Sequence, residues 1–398
     1  MSTLNYLAEI WDESHNQLKS KQSYRKIFDT HKEFNNHTKI INFSSNDYLG
    51  LRNEARILEA GYRSALKNGS GCGASRSVLQ TDSSIEELEN FFCEHTGWKR
   101  SLFLPSGFIA NLTFFDALTP FLNEDIDQEF FIDHRCHASI FFAFKDRNLK
   151  HSIFRHQDMP HLEKKLNASQ AKAKIIVVES LFSMDGDFSQ GEDLSHICEK
   201  TNALLFVDES HSFGIYGPNG RGWTQDFPKL KKYLIAASFG CGKSVGVSGG
   251  FLATNTPALI KRILQKSKLF IYSTGISAFI SGAVLESLKI IFSEEGEKRR
   301  SKLFTNIRYL NSQLDKINFK FPIILEREIL SQIVPFIFCE NNLTMKISNH
   351  LLENQILAKA IRPPSVPNNT SRLRLCLTSH LTNEDIDLFI HQLNKVLL

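Results

Sequence analysis

The chain has 398 residues with 42% hydrophobic content, enough to bury a large core in more than one domain. Its 47 basic and 43 acidic residues give a formal net charge of +4, too close to balance to favour nucleic acid or an anionic membrane as a ligand. The 7 cysteines are scattered and odd in number, which is typical of reduced thiols. No secretory or membrane-spanning pattern is present, so the protein is expected to be cytoplasmic.

The hydrophobic pattern predicts a helical N-terminal segment, residues 1–45, followed by strands that alternate with helices. The predicted strands are short apolar runs at residues 101–104, 130–133, 174–178, 203–207, 233–237 and 250–253. Such alternation predicts a mainly parallel sheet covered on both faces. We therefore expect an α/β fold with a large domain at residues 46–275 and a smaller C-terminal α+β domain at residues 276–398.

Lys243 lies in a glycine-rich run of small residues, 238–250. A glycine-rich backbone turns sharply and presents amide donors to a phosphate, and small neighbours let a lysine amine approach a planar aldehyde ring. The segment therefore indicates a lysine that forms a Schiff base. The alternative interpretation is a solvated turn, which describes most lysines in such loops.

Asp208 ends the predicted strand at 203–207, and His211 follows three residues later. Open α/β sheets build their sites at the carboxyl ends of strands. A buried carboxylate needs a cation or hydrogen bonds, and a protonated pyridine nitrogen supplies both. An Asp-x-x-His pair is also compatible with a structural pair or part of a metal site.

Two further polar segments follow predicted strands. Residues 179–187 place a polar turn containing Ser183 beside the same edge of the sheet. In residues 131–139, His137 is followed by small residues that would let its imidazole lie flat on a ring. His134 and His137 also suggest a metal site, but no further ligands stand at zinc-site spacing and the cysteines include no Cys-x-x-Cys pair. We therefore expect no bound metal.

Taken in order, these segments resemble the pyridoxal-phosphate enzymes of fold type I, which share the aspartate-aminotransferase fold, and among them the α-oxoamine synthases. The similarity covers most of the chain, and its segments are residues 42–50, 69–76, 105–111, 137–139, 183–187, 208–211, 217–222, 243 and 271–274. The segment at residues 361–375 is most similar to the 8-amino-7-oxononanoate synthases of biotin biosynthesis.

The resemblance implies four catalytic residues. Lys243 would hold pyridoxal 5′-phosphate (PLP) and later move the proton at the amino-acid α-carbon. Asp208 would keep the pyridine nitrogen protonated, and His211 would hydrogen-bond the phenolic oxygen of the ring. His137 would stack on the ring face.

The resemblance also assigns the cofactor phosphate to backbone amides of Gly107 and Phe108, at the start of a helix whose dipole favours an anion. Ser106 and Ser183 are expected to contact the cofactor as well. Thr274 would come from a second subunit, which predicts a homodimer.

The chain departs from the family at the position three residues before the lysine. The family usually has Ser or Thr there as a phosphate ligand, whereas this chain has Gly240. Ser238, two residues earlier, is the expected substitute.

The substrates implied by the resemblance are L-alanine and a pimeloyl thioester carried by CoA or a carrier protein. Asn46 and Arg374 would bind the amino-acid carboxylate, which a guanidinium can hold by two hydrogen bonds. Arg362 would pair with the far carboxylate of the pimeloyl chain. Arg372, by contrast, is expected to be an exposed charge on a strand. The enzyme would be a PLP-dependent acyltransferase that releases carbon dioxide.

Three other functions have weaker support. Residues 77–85, 208–212 and 217–220 are similar to synthases of long-chain α-hydroxyketone signals. The alternative is therefore a long-chain fatty-acyl α-oxoamine synthase that makes autoinducer-type ketones or sphingoid bases. A catalytically silent partner subunit would be expected to lack the lysine, whereas Lys243 is present here together with Asp208 and His211. A dinucleotide dehydrogenase would need a strand before the glycines at 69–73, and none is predicted there.

Overall fold

The computed structural model describes residues 3–20, 40–80, 83–145, 147–316 and 331–397. Its strands are β1 (Ile41–Asn42), β2 (Arg100–Leu104), β3 (Gln128–Asp133), β4 (His151–Phe154), β5 (Ala173–Glu179), β6 (Leu204–Asp208), β7 (Leu234–Gly240), β8 (Gly250–Thr254), β9 (Ile333–Cys339), β10 (Ile356–Leu357), β11 (Ala360–Ile361) and β12 (Ser371–Cys376). Its α-helices are α1 (Thr3–Ser20), α2 (Ala55–Asn68), α3 (Ser84–Thr96), α4 (Gly107–Leu118), α5 (Ala138–Lys145), α6 (Met159–Ala168), α7 (Gly191–Thr201), α8 (Pro257–Lys266), α9 (Lys268–Ile271), α10 (Ala278–Ile291), α11 (Glu294–Leu314), α12 (Asn341–Glu353) and α13 (Asn383–Leu397).

Seven strands form the central sheet in the order β2-β8-β7-β6-β5-β3-β4. The pairs β3–β4, β3–β5, β5–β6 and β6–β7 are parallel, whereas β8 is antiparallel to both β7 and β2. Each of the six predicted strands is present, so the prediction of an α/β fold with a mainly parallel sheet is confirmed. The sequence does not predict β4, because this edge strand leaves His151 and Ile153 exposed and has no continuous apolar run.

The central strands are buried on both faces, as their apolar sequences require. Phe206 of β6 is fully buried and stacks on Phe114 of α4, with ring centroids 4.2 Å apart. On the other side, Phe92 of α3 stacks on Phe251 of β8 at 4.1 Å. Burying each such ring stabilises the fold by about 1.5–3 kcal/mol. This packing fixes the register of the parallel strands and therefore the positions of the residues at their carboxyl ends.

Contacts divide the chain into two compact units. The larger comprises the described residues of Asn46–Phe304 and Thr378–His380. It includes α10, which the sequence analysis placed in the C-terminal domain. Helix α10 packs closely on α2, since a Cβ added at Gly282 would lie only 2.5 Å from the Cβ of Ser64. The close approach of these two helices explains why residues 276–304 group with the larger unit.

The smaller unit comprises the described residues of Met1–Ser45, Thr305–Leu377 and Leu381–Leu398. Strands β11, β12 and β9 form an antiparallel sheet in that order. Phe389 of α13 packs on Phe336 of β9 and on Phe43, with ring centroids 5.7 and 5.0 Å apart.

The described parts of the N-terminal segment are α1 and residues 40–45, and residues 1–2 and 21–39 lie outside the described ranges. No side chain of α1 is buried. Among the helices that the structure describes, none is both long and apolar enough to cross a membrane.

Candidate active site

The parallel strands bring the predicted polar residues to one edge of the central sheet. Asp208 ends β6, and it lies in register with Glu179 at the end of β5 and with Ser238 of β7. The segment containing Lys243 follows β7, and the segment containing His137 follows β3. Residues that are distant in sequence therefore meet where open α/β sheets place their sites.

The Asp208 carboxylate is held in one orientation by hydrogen bonds to both of its oxygens. Asp208 is 6% exposed, and its Oδ1 accepts the backbone N–H of Ser210 at 2.9 Å. Its Oδ2 accepts a hydrogen bond from Asn111 Nδ2 at 2.7 Å. Such bonds stabilise a buried carboxylate and aim it at one point.

Lys243 lies in a tight turn between β7 and β8. The turn is closed by hydrogen bonds from Cys241 N to Gly249 O at 2.9 Å and from Gly246 N to Lys243 O at 3.0 Å. The Lys243 amine reaches back toward the end of β7, because Nζ would be only 3.8 Å from a Cβ added at Gly240. The structure therefore brings the Lys243 amine and Asp208 to the same strand edge.

His211 is buried and directly follows Ser210, whose amide binds Asp208, and its Nδ1 lies 2.8 Å from the hydroxyl of Tyr48. The same hydroxyl donates to Asn46 Oδ1 at 3.1 Å. Tyr48 thereby connects two predicted site residues, Asn46 and His211.

His137 lies at the start of α5 and remains exposed, so part of its ring faces open space. Its Nδ1 is 2.8 Å from Ser139 Oγ, which fixes the ring at one edge. His134 has a different environment, since its Nδ1 accepts the backbone N–H of His156 at 2.9 Å. Within the described residues, no group of three or more His, Cys, Asp or Glu side chains is arranged to hold a metal ion.

The start of α4 forms a glycine-lined cradle with the end of β7. Ser106 is the N-cap, and its Oγ accepts the N–H of Ile109 at 3.2 Å. A Cβ added at Gly107 would lie 2.9 Å from Gly240 Cα, and one added at Gly250 would lie 2.5 Å from Gly107 N. Glycine is therefore required for this close approach. The first amides of such a helix, at Gly107 and Phe108, are suited to bind an anion.

The other residues predicted to contact the cofactor, Ser183, Thr274 and Ser238, differ in their exposure to solvent. Ser183 is 8% exposed, in the turn after β5. Thr274 is exposed, and its backbone bridges to Ser75. The position of Ser238 does not match the expectation that this residue replaces the missing phosphate ligand. It is fully buried, and its hydroxyl donates to Asn111 Oδ1 at 2.6 Å.

Arg374 and Arg362 belong to the smaller unit. Arg374, on β12, is 9% exposed and donates to Cys376 Sγ at 2.9 Å. Arg362 is half-buried, and desolvation lowers the pKa of its guanidinium from the usual value. The prediction that Arg372 is exposed is wrong, since this side chain is 2% exposed. Residues 372 and 374 share one face of β12, so both arginines are buried on the same side.

Sequence reasoning missed several polar residues that support the site: Tyr48, Asn111, Ser139, Glu179 and Ser210. Of these residues, Asn111 could most easily have been predicted from the sequence. It lies among buried apolar residues of α4, and a buried amide requires hydrogen-bond partners. Ser210 Oγ accepts the N–H of Gly240 at 2.9 Å and so occupies the space beside that glycine.

Glu179 is a second buried carboxyl beside Asp208. It is 2% exposed, and its Oε1 has no hydrogen-bond partner within the part of the chain that the structure describes. Burial raises its pKa well above the ordinary value, and the neighbouring charge of Asp208 adds to that effect. Lys243 and the backbone amides of Ser183 and His137 act in the opposite direction. Burial and the neighbouring charge therefore favour the neutral form of Glu179.

The family model for aminotransferase class I and II matches residues 38–393 of the chain. The 8-amino-7-oxononanoate synthase of Herminiimonas arsenicoxydans is 33% identical over 352 residues, which cover 87% of this chain and 87% of the relative. The enzyme of the same name from Thermosipho melanesiensis is 32% identical over 359 residues, which cover 90% and 88% of the two chains.

Solved structures agree on the fold. The 8-amino-7-oxononanoate synthase of Francisella tularensis superposes with a TM-score of 0.75 at 28% identity and covers 90% of this chain and 97% of that one. A serine palmitoyltransferase variant from S. paucimobilis, solved with a bound PLP–myriocin aldimine, gives a TM-score of 0.86 at 22% identity and covers 100% and 98%. At this lower identity the likeness shows the fold alone. Together with the matches over most of the sequence, these findings show that the chain belongs to the aminotransferase class I and II family and, within it, to the PLP-dependent α-oxoamine synthases.

Proposed function

We propose that the protein is an 8-amino-7-oxononanoate synthase that condenses L-alanine with a pimeloyl thioester and releases carbon dioxide. The observation that carries this proposal is the meeting of Asp208, Lys243 and the Gly107 cradle at one sheet edge, in a chain whose curated relatives bear that name. Each of these three features matches a different part of PLP: the ring nitrogen, the aldehyde and the phosphate.

The residues present fit this cofactor. The Asp208 carboxylate has a fixed direction and can accept the proton of a pyridine nitrogen. The cradle leaves no room for a Cβ at Gly107, so backbone can approach a phosphate closely and offer amide donors. Lys243 supplies the amine that holds the aldehyde carbon. When bound, the cofactor supplies an electron sink for the electron pair left at the amino-acid α-carbon.

The side chains of this chain then perform the remaining tasks. Lys243 takes the α-proton of alanine as a general base. Asp208 keeps the heterocycle protonated, and His211 forms a hydrogen bond with its phenolic oxygen. His137 covers one face of the ring. A bond forms between the alanine α-carbon and the thioester carbonyl carbon, while the carbon–sulfur bond breaks and the thiol departs. The bond to the α-carboxylate then breaks to release carbon dioxide, and the α-carbon takes up a proton in its place.

Two arginines supply the proposed carboxylate binding. Arg374 and Asn46 bind the carboxylate of alanine, and Arg362 binds the far carboxylate of the pimeloyl chain. Their chemistry supports these roles, because a buried carboxylate needs a paired cation and a guanidinium offers a bidentate geometry. Partial desolvation of Arg362 would strengthen its attraction to a carboxylate bound there.

Further parts of the proposal concern assembly and the acyl donor. The enzyme acts as a homodimer in which Thr274 reaches the phosphate of the neighbouring subunit, and Thr274 is exposed as that role requires. Ser106 and Ser183 complete the contacts to the cofactor. The pimeloyl group arrives on CoA or on a carrier protein.

A competition between acyl thioesters tests the substrate. Purified enzyme with PLP and alanine is given pimeloyl-, decanoyl- and palmitoyl-CoA together, and the products are identified by mass spectrometry. We expect the pimeloyl product to dominate, and we expect Arg362→Leu to remove that preference while Arg63→Leu, at a surface arginine, does not. Preference of the unaltered enzyme for an uncharged long chain would replace the proposal with a fatty-acyl α-oxoamine synthase.

A chemical label tests the cofactor separately. Borohydride treatment of the protein with PLP, followed by peptide mapping, is expected to label Lys243. An unlabelled Lys243 in active protein would overturn the assignment of this residue.

A further inference from the structure

Asn111 joins three parts of the candidate active site. It is 1% exposed in α4, and its Nδ2 donates to Asp208 Oδ2 at 2.7 Å and to Ser139 Oγ at 2.9 Å. Its Oδ1 accepts the hydroxyl of Ser238 at 2.6 Å. All the polar atoms of this amide are therefore used, and they connect α4 with β6, β7 and the start of α5.

The hydrogen-bond partners of Asn111 determine which end of its amide is the oxygen and which is the nitrogen. Asp208 Oδ2 is a hydrogen-bond acceptor, so the group that faces it must be the NH₂ of Asn111. The reverse orientation would place Asn111 Oδ1 against the carboxylate. Each hydrogen of the NH₂ group then has one acceptor, Asp208 or Ser139.

This orientation determines the direction of the next hydrogen bond. Ser139 Oγ is fully buried and accepts from Asn111, and its own hydrogen points to His137 Nδ1 at 2.8 Å. The backbone N–H of Ser139 points to the same nitrogen at 3.2 Å. If Nδ1 carried a hydrogen, it would face that N–H, and the buried Ser139 hydroxyl would have no acceptor among the described residues. His137 Nδ1 therefore accepts, which requires a neutral imidazole with its hydrogen on Nε2.

We infer that Asn111 is a positioning residue that fixes His137 as the neutral Nε2–H tautomer and ties its ring to the Asp208 carboxylate. The meaning of this arrangement for catalysis rests on the proposed function, in which His137 covers the cofactor ring and Asp208 faces the ring nitrogen. A cationic His137 would compete with that nitrogen for the single negative charge of Asp208. A neutral His137 leaves the carboxylate to the heterocycle.

The electrostatic surroundings agree with this assignment. Desolvation lowers the pKa of His137 from its ordinary value, and Lys243 acts in the same direction. Asp208 acts against both of them, by favouring the protonated ring. The hydrogen-bond chain through Asn111 acts in the same direction as desolvation and Lys243, because it presents donors to His137 Nδ1.

The direct test is histidine side-chain ¹⁵N NMR on the full-length protein, with and without PLP. The chain has 14 histidines, so the signals that disappear in His137→Asn identify those of residue 137. We expect a protonated Nε2 and an unprotonated Nδ1 at neutral pH, and a pKa of the ring below that of an ordinary histidine. A cationic ring or an Nδ1–H tautomer in the unaltered protein would overturn the inference, and this measurement needs no destabilising variant.

Two variants test whether Asn111 and Ser139 set the His137 tautomer through hydrogen bonds or only fill space in the core. Ser139→Ala removes the hydroxyl donor to Nδ1, so the two tautomers should mix and the pKa of His137 should rise. Asn111→Leu combined with Ser238→Ala fills similar space without leaving an unpaired hydroxyl, and should also weaken PLP binding about tenfold through loss of one hydrogen bond to a charged group. Ser101→Ala, a buried serine of β2, is the matched control and should leave the His137 signals and the PLP dissociation constant unchanged. If the combined variant gives the His137 signals of the unaltered protein, Asn111 does not set the tautomer.

The outcome is distinguishable from failure of the proposed function. Borohydride labelling of Lys243 decides whether PLP is held there, and the NMR spectrum of the protein without PLP decides the state of His137. A neutral Nε2–H ring with no labelled lysine would contradict the proposed function alone. A labelled lysine with a cationic His137 would contradict the inference alone.

Discussion

His156 Nε2 donates to an Asp187 carboxylate oxygen at 2.7 Å and joins two of the loops that form the candidate active site. Its other nitrogen, Nδ1, lies 2.9 Å from Asp133 Oδ1 at the end of β3. Asp187 belongs to the turn that contains Ser183, and Asp133 precedes the segment that contains His137. One imidazole thus holds together two loops that follow different strands.

The His156 bridge predicts a loss of stability at alkaline pH. Desolvation of the ring opposes protonation, but hydrogen bonds to Asp133 and Asp187 raise its pKa from 6.5 to about 9. Because the pKa is higher in the folded state, the stabilisation is complete below about pH 6.5 and is lost as the pH rises through about 9. After allowance for partial exposure of the ring, we expect the free energy of unfolding to fall by about 2 kcal/mol across this window.

Urea unfolding of the full-length protein at a series of pH values measures this effect. His156→Gln cannot be protonated at residue 156, so its stability should be lower at pH 7 and should fall less than that of the unaltered protein between pH 6.5 and 9. An equal fall in stability in the variant would assign the pH dependence to other groups.

The sequence predicts the central sheet well because its strands are buried on both faces and therefore appear as continuous apolar runs. The run at residues 174–178 and the observed strand Ala173–Glu179 differ by one residue at each end. The polar residues that follow such runs lie at the carboxyl edge for the same reason, so the placement of Asp208 and Lys243 could be predicted from the strand pattern.

Side-chain direction could not be predicted in this way. Ser238 and Lys243 lie in the same glycine-rich segment, but the Ser238 hydroxyl points inward to Asn111, 127 residues away in sequence. Tyr48 and His211 meet across 163 residues. These contacts depend on how helices pack on the sheet, and hydrophobic periodicity carries no information about that packing. The grouping of α10 with the larger unit has the same origin, since it depends on two small residues that let helices touch.

The neighbouring carboxyls Glu179 and Asp208 should respond differently to replacement by their amides. Burial and the charge of Asp208 keep Glu179 protonated, so Glu179→Gln replaces one neutral group by another of similar shape. A raised folded-state pKa means that ionisation of Glu179 opposes folding as the pH rises above about 4.5, the unfolded value. We expect Glu179→Gln to match the unaltered protein at pH 5 and to be at least as stable at pH 8.

Asp208→Asn is the matched comparison, because it makes the same chemical change one strand away. Loss of the charge facing the ring nitrogen should weaken PLP binding about 100-fold, as expected for a buried charge-assisted hydrogen bond. PLP titration by fluorescence and thermal unfolding of both variants measure the contrast. Equal loss of PLP affinity in the two variants would mean that Glu179 is ionised in the folded protein.

Glu209 holds the loop that follows the site and should be a major contributor to stability. Its fully buried carboxylate accepts the backbone N–H groups of Trp223 and Thr224, each at 2.8 Å and each on a different oxygen. Glu209→Gln would place an NH₂ group against one of these N–H donors. We expect a loss of about 2 kcal/mol in the free energy of unfolding, measured by urea denaturation. Glu192→Gln, at an exposed glutamate of α7, is the control and should change stability by less than about 0.5 kcal/mol.

Gly240 occupies the position where the family usually has a serine or threonine, and Ser210 explains why a side chain is not accommodated there. A Cβ added at Gly240 would lie 2.8 Å from Ser210 Oγ and 3.2 Å from Ser210 Cβ. Gly240→Ser should therefore displace Ser210 from the Gly240 N–H and weaken PLP binding by about tenfold, the usual cost of one hydrogen bond and a close contact. Adding Ser210→Ala removes the closer of the two contacts, so the double variant should bind PLP more tightly than Gly240→Ser alone.

Gly242→Ser is the matched control, because a Cβ at Gly242 meets nothing within 4 Å. Undiminished PLP affinity in Gly240→Ser, measured by fluorescence titration, would show that Ser210 yields easily and that the space beside this glycine does not restrict the phosphate site.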